Sequence, residues 1–129
     1  MSTVTVTRDT LAAALRAKGL QVADQWGDPI TTPFVVLEPG DPWIERSAMS
    51  PGAGKVHWRI VCVADKGGSA PTLTTELAST ALVAYHVLAA LLGWSTSNVS
   101  GLRVIPETAG NYVAVELSTS TPIDITEGT

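Results

Sequence analysis

The residues of this chain whose types most readily do chemistry are His57, His86, Cys62 and the glycine-bearing segment Pro51-Gly52-Ala53-Gly54-Lys55. The last has the texture of a phosphate-binding loop. In the pattern G-x-x-x-x-G-K-[ST], however, the first glycine falls on Met49 and the hydroxyl position is Val56. The segment also leads into a strand-like run, whereas cradling a phosphate needs a helix N-terminus after the loop. Neither histidine has a second His, Cys or carboxylate at metal-ligand spacing. His57 beside Arg59 reads as a solvated or interfacial strand residue, and His86 as part of a polar helix strip. Asp24, Asp28, Glu38 and Asp41 fit no calcium-loop spacing, and no G-x-S-x-G elbow offers a nucleophile. Cys62, within Ile60-Val61-Cys62-Val63, has the setting of a small core residue, and as the sole cysteine it can close no disulfide inside the chain. The expectation is no catalytic, metal or cofactor-binding residue. An active site assembled from distant residues or shared between subunits is the alternative that leaves no linear motif.

Composition points toward assembly. The 129 residues suit one domain, 1–129, and one hydrophobic core. Hydrophobic residues make up 45% and charged residues 16%, against about 25% charged in an ordinary soluble domain. A chain so poor in charge is expected to cover part of its surface with partners. Its net charge of -4 and its scattered lysines and arginines argue against a dedicated nucleic-acid binder. The start Met1-Ser2-Thr3-Val4-Thr5-Val6-Thr7 lacks the pattern of an export signal. The most apolar stretch, Ala81 to Leu92, is shorter than the ~20 residues that span a bilayer, so the expectation is an intracellular protein away from membranes.

The elements expected to position these residues begin with a helix from Arg8 to Lys18, capped by Thr7, ended near Gly19 and facing inward with Leu11 and Leu15. Leu20 to Trp26 suggests a short strand, followed by a turn at Gly27-Asp28-Pro29. Phe34-Val35-Val36-Leu37 is apolar on both faces, as an interior strand would be. Glu38 to Lys55, rich in Pro and Gly, predicts a long loop, which is a functional suspect at that length. Within it Trp43, Ile44, Glu45 and Arg46 form the candidate partner contact, and the competing reading folds Trp43 back as a lid on its own core.

Val56 to Ala64 predicts a strand with Trp58, Ile60, Cys62 and Ala64 on one face and His57, Arg59, Val61 and Val63 on the other. Leu73 to Leu92, with Thr72 as cap and Gly93 after it, predicts a long helix. Its stripe would be Leu73, Leu77, Ala81, Leu88 and Leu92, with Thr75, Ser79 and His86 as a polar strip. This apolar arc is wider than one sheet face covers, which marks Val83 and Val87 as candidate subunit-interface residues. Strands Leu102–Ile105 and Tyr112–Ser118 complete the sheet, the second with Val113, Val115 and Leu117 inward. In the tail, 118–129, Ile123 and Ile125 alternate with polar residues, as a frayed end or as a flexible arm that adds a strand to a neighbour, and both join Val83 and Val87 as candidate subunit-interface residues. The sum is an α+β fold: a mostly antiparallel, four- to five-stranded sheet with two helices on one face and a long hairpin loop.

In its N-terminal helix (Thr10-Leu11-Ala12-Ala13-Ala14-Leu15), its hairpin from Pro33-Phe34-Val35-Val36-Leu37 to Val56-His57-Trp58-Arg59-Ile60-Val61, its long helix and its strand Tyr112-Val113-Ala114-Val115-Glu116-Leu117, the chain resembles the tail terminator proteins of long-tailed bacteriophages. The likeness is one of size, element order and residue texture over nearly the whole length. It implies a virion protein, assembled in the host cytoplasm, that forms a ring, usually a hexamer, capping the tail tube protein and joining it to the head-side connector protein. DNA would pass the lumen without specific binding. Another neck or tail-completion component is the near alternative, and a small cytoplasmic enzyme or ligand-binding domain the distant one.

Overall fold

A computed structural model describes residues 3–23, 33–47, 52–65, 70–96, 99, 103–107 and 110–124. The turn expected at Gly27-Asp28-Pro29, the carboxylates Asp24 and Asp28, and Ile125 lie outside them.

Helix α1 runs Thr3–Ala17, starting five residues earlier than its β-branched, Thr-rich opening suggests. Weak helix propensity costs tenths of a kcal/mol per residue, and burial of Val4 in the core offsets it. Thr7 is therefore not a cap. Inside the helix its hydroxyl donates to the Val4 carbonyl at 2.7 Å. The far end matches expectation: Gly19, at φ 87°, donates to the Arg16 carbonyl at 3.0 Å, and Leu20 reaches back to Leu15 at 3.3 Å. Those two bonds form a Schellman closure, with Leu20 packed against the core that holds Leu15.

Strand β1, Val22–Ala23, pairs in parallel with β2, Phe34–Arg46. Strand β3, Ala53–Asp65, is antiparallel to β2 and to β6, Gly110–Asp124. Between β3 and β6 comes helix α2, Ala70–Ala90, whose first turn accommodates Pro71 and takes in Thr72, so Thr72 is not its cap. Beyond α2, the short β4, Ser95–Thr96, and β5, Arg103–Glu107, share the outer edge of β6. Pro106 sits in β5, at a sheet edge that tolerates a missing N–H. The order β1-β2-β3-β6-β4 makes a mixed, mostly antiparallel sheet five strands across.

One face of the sheet carries the main core. Val35, Leu37, Val56, Trp58, Ile60, Cys62, Ala64, Val113, Val115 and Leu117 pack there against Leu11 and Leu15 of α1 and Leu77, Ala84 and Leu88 of α2. The opposite face buries a smaller cluster of Ala23, Phe34, Val36, Val61, Val63 and Ala114. Strict alternation along β3 and β6 thus gives both faces an apolar half, as expected for interior strands.

Two expectations about loops and arms change. The expected loop Glu38–Lys55 is mostly strand: β2 continues to Arg46 and β3 begins at Ala53. The expected free arm beginning at 118 is also strand as far as Asp124, which pairs with Ala53. Ile123 is buried in the main core, because the lengthened β3 offers β6 a partner along its whole course.

Candidate functional site

The hairpin of β2 and β3 stays continuous through a proline- and glycine-rich stretch by means of an unusually large bulge. Pro39 pairs with Trp58 and Ile44 with Val56, so the four residues 40–43 stand opposite His57 alone. Such an insertion bends the strand and redirects its side chains. Gly40 makes it possible. A Cβ at that position would lie 2.7 Å from the His57 Cβ and 3.1 Å from its carbonyl carbon and oxygen.

The bulge lifts Trp43 and Ile44 outward on β2, leaving them 43% and 40% exposed. The lid reading of Trp43 holds in part. The ring meets Trp58 edge-on at 5.9 Å between ring centroids, at 72°, and it keeps a large part of its surface in solvent. Trp58 is buried, and its indole N–H donates to the Thr7 hydroxyl at 3.2 Å. Thr7, Trp58 and Trp43 therefore link α1 through β3 to the hairpin surface.

The charges beside this patch divide into those paired with a described residue and those that are not. Glu45 lies 2.9 Å from the His57 ring nitrogen, and Glu38 lies 3.6 Å from Arg59. Arg46, on the same strand, enters no ion pair with a described residue. Near the hairpin end is a depression of about 400 Å³ lined by Glu45, Arg46, Ser47, Lys55 and Pro122. A smaller one of about 280 Å³ adjoins it, sharing Lys55 and Pro122 and bounded by Trp94, Ser95 and Ser120. There the β4 segment is tied down by side-chain bonds. Thr121 donates to the Gly93 carbonyl at 3.0 Å, Thr119 donates to the Ser95 carbonyl, and the Ser95 and Ser120 hydroxyls meet at 2.8 Å.

The second exposed apolar surface lies on α2. Its inward sector consists of Leu77, Thr80, Ala81, Ala84, Val87 and Leu88, spanning about 120° at 100° per residue. The arc is over-wide as expected, but the uncovered side is the other one. Val87 is buried and Val83 packs partly against the core, so the premise that made them interface candidates, that a lone chain would leave them wet, fails. The exposed side is Ala78, Leu82, Tyr85 and Ala89, with Leu82 57% exposed. Leu92, expected in the inward stripe, is 98% exposed, because the helix ends at Ala90 and the chain then turns. Positions 78, 82, 85 and 89 repeat at spacings of 4 and 3, the rhythm of a helix seam. That signal was present in the sequence. Thr75, Ser79 and His86 are exposed beside it, as expected.

The remaining chemical candidates stay apart. Burial pushes the Cys62 thiol up to about 12, where it is an inert core group. His86 makes an edge contact with Tyr85 at 6.4 Å and lies on a different element from His57. Among the described residues no three His, Cys, Asp or Glu groups converge on a possible metal position, and no helix is long and apolar enough to cross a membrane. No protein-family model matches the chain, and no curated protein matches it.

Proposed function

We propose that this chain is the subunit of a homo-oligomeric ring that closes the end of a bacteriophage tail tube and joins it to the head-side connector, the role of a tail terminator. The observation that carries the reading is the uncovered apolar seam of α2, centred on Leu82 and Tyr85. A charge-poor helix that turns its sheet-facing sector inward and still presents leucine and tyrosine to water has the surface of a subunit. The hairpin adds a second feature. Its strands of 13 residues each carry Trp43, Ile44 and Arg46, residue types enriched at binding hot spots. Under this reading DNA passes the lumen without a specific contact, and the protein belongs to the neck of the virion.

The test is electron microscopy of the purified full chain, alone and mixed with tail tubes. Rings, or density capping one tube end and stopping its further growth, support the proposal. The depression beside Arg46 and Lys55 favours the distant alternative, a ligand-binding domain. A chain that stays monomeric, ignores tube ends and binds a small molecule there replaces the ring reading.

A further inference from the structure

We propose that the hairpin end binds an extended segment of another protein, acidic at one end and apolar at the other, in the trough that the two adjoining depressions form together. The site stands apart from the ring reading and holds whether or not copies of this chain meet one another. The depression of about 400 Å³ is lined from β2, β3 and β6, and the one of about 280 Å³ from β3, β6 and β4; Lys55 and Pro122 belong to both. In the order β2-β3-β6-β4 the trough therefore crosses four strands, about 14 Å at the usual strand spacing. That length takes about four residues of extended chain, whereas a lone phosphate or carboxylate fills only one end of it.

Charge selects the occupant. Arg46 and Lys55 border the larger depression, both are exposed, and neither enters an ion pair with a described residue. Glu45 lies across from Lys55, yet its carboxylate is 2.9 Å from the His57 ring nitrogen. Asp124 lies across from Ala53, outside both depressions. Residues 48–51 are Ala, Met, Ser and Pro and add no charge. At the far end Trp94 packs partly against the core, and the Ser95 and Ser120 hydroxyls meet at 2.8 Å, so that end offers apolar surface and hydroxyls that already have partners. Two cations are too few for a nucleic acid, whose affinity comes from many phosphate contacts, and they repel a basic partner. A segment with acidic residues at one end and apolar ones at the other matches both ends of the trough.

Fluorescence anisotropy with the full chain and two labelled octapeptides tests the site. One peptide carries glutamates followed by leucines, and the other has the reverse order, so that either chain direction along the trough is served. Binding of at least one is expected, weakened at least about tenfold by R46E or by K55E. Arg46→Gln and Lys55→Gln serve in place of any reversal that alters the melting curve, and each is expected to weaken binding at least about threefold. Ser95→Phe fills the apolar half and leaves both cations in place; it is expected to weaken binding at least about fivefold. Copies of the peptides with lysine for glutamate are expected not to bind. Failure of both glutamate peptides, equal binding of the lysine copies, or indifference to the changes at Arg46 and Lys55 overturns the site. Inorganic phosphate that displaces the peptide at equal concentration, or binding untouched by Ser95→Phe, leaves an anion subsite and overturns the extended occupant. Self-association lost in R46E or K55E, with neither peptide bound, assigns the trough to a second copy and overturns the proposal. Rings and tube capping by the wild-type chain are decided separately by microscopy, so the ring reading and this site fail independently.

Discussion

Trp58 joins three parts of the molecule through one side chain: its ring edge meets Trp43, its body lies in the core, and its N–H ends on Thr7. Replacing Thr7 by Val keeps the volume and removes the acceptor, leaving a buried donor unmatched. The expected loss is about 1–2 kcal/mol in denaturant unfolding, with a shift in Trp fluorescence because the indole bond is gone. Gly40 is constrained differently, by the backbone of His57 at its back. Gly40→Ala is expected to cost more than Gly19→Ala, since the latter meets open space and loses only about 1 kcal/mol to its positive φ. Chemical melts of the two variants compare them directly. At Cys62 the folded thiol titrates near 12, against 9.0 unperturbed. Its neutral form is the one the fold accepts, so its contribution is complete below pH 9 and is lost as pH rises toward 12. In that window the unfolding constant is expected to grow by up to about tenfold per pH unit from this group alone. A Cys62→Ala variant, less stable at neutral pH, should show a shallower alkaline decline.

At the scale of elements, α2 has two apolar sectors in different surroundings, one covered and one exposed. The sector through Leu77, Ala84 and Leu88 is held by the sheet, and Val87 belongs to it. Val87→Ala is expected to cost about 2 kcal/mol of folding stability through lost burial and the cavity left behind. Leu82→Ser lies on the outer seam and is expected to change stability by no more than about 0.5 kcal/mol while weakening self-association. Thermal unfolding and sedimentation on the same two variants separate the sectors; a large stability loss at Leu82 would mean that its own fold covers it. The hairpin follows a similar logic. Pairing from Ala53 to Asp65 along β6 gives β3 a partner over its full length, which holds its outer part in strand form despite Pro39, Gly40 and Pro42 on β2.

For the whole molecule, the sheet separates a face that holds the helices from a face that is apolar at one end and charged at the other. On the second face Val36 and Val61 lie among buried neighbours, whereas Glu38, Arg59, Glu45 and His57 form cross-strand pairs in partial contact with water. Exposed pairs of this kind contribute under about 1 kcal/mol each and are weakened by salt, whereas the apolar seam of α2 is insensitive to screening. Raising ionic strength is therefore expected to leave the proposed assembly intact or strengthen it. Light scattering across a salt series checks this, and dissociation by moderate salt would point to a charge-driven surface in place of the apolar one.

The residue order alone determined the two-faced β3, with Trp58, Ile60, Cys62 and Ala64 against His57, Arg59, Val61 and Val63, because side chains alternate with period two whatever surrounds them. It also determined the end of α1 near Gly19 and the excess of apolar residues on α2, both of which follow from local steric rules and from counting. Only the tertiary structure decided which flank of that helix remains outside. A 3.6-residue wheel locates the apolar arc, while the angle at which the sheet meets it depends on contacts distant in sequence, and those put Val87 inside and Leu82 outside. The hairpin was hidden for the same reason. Pro39-Gly40-Asp41-Pro42 has the composition of a loop, and only pairing to β3 across a bulge makes it part of a strand.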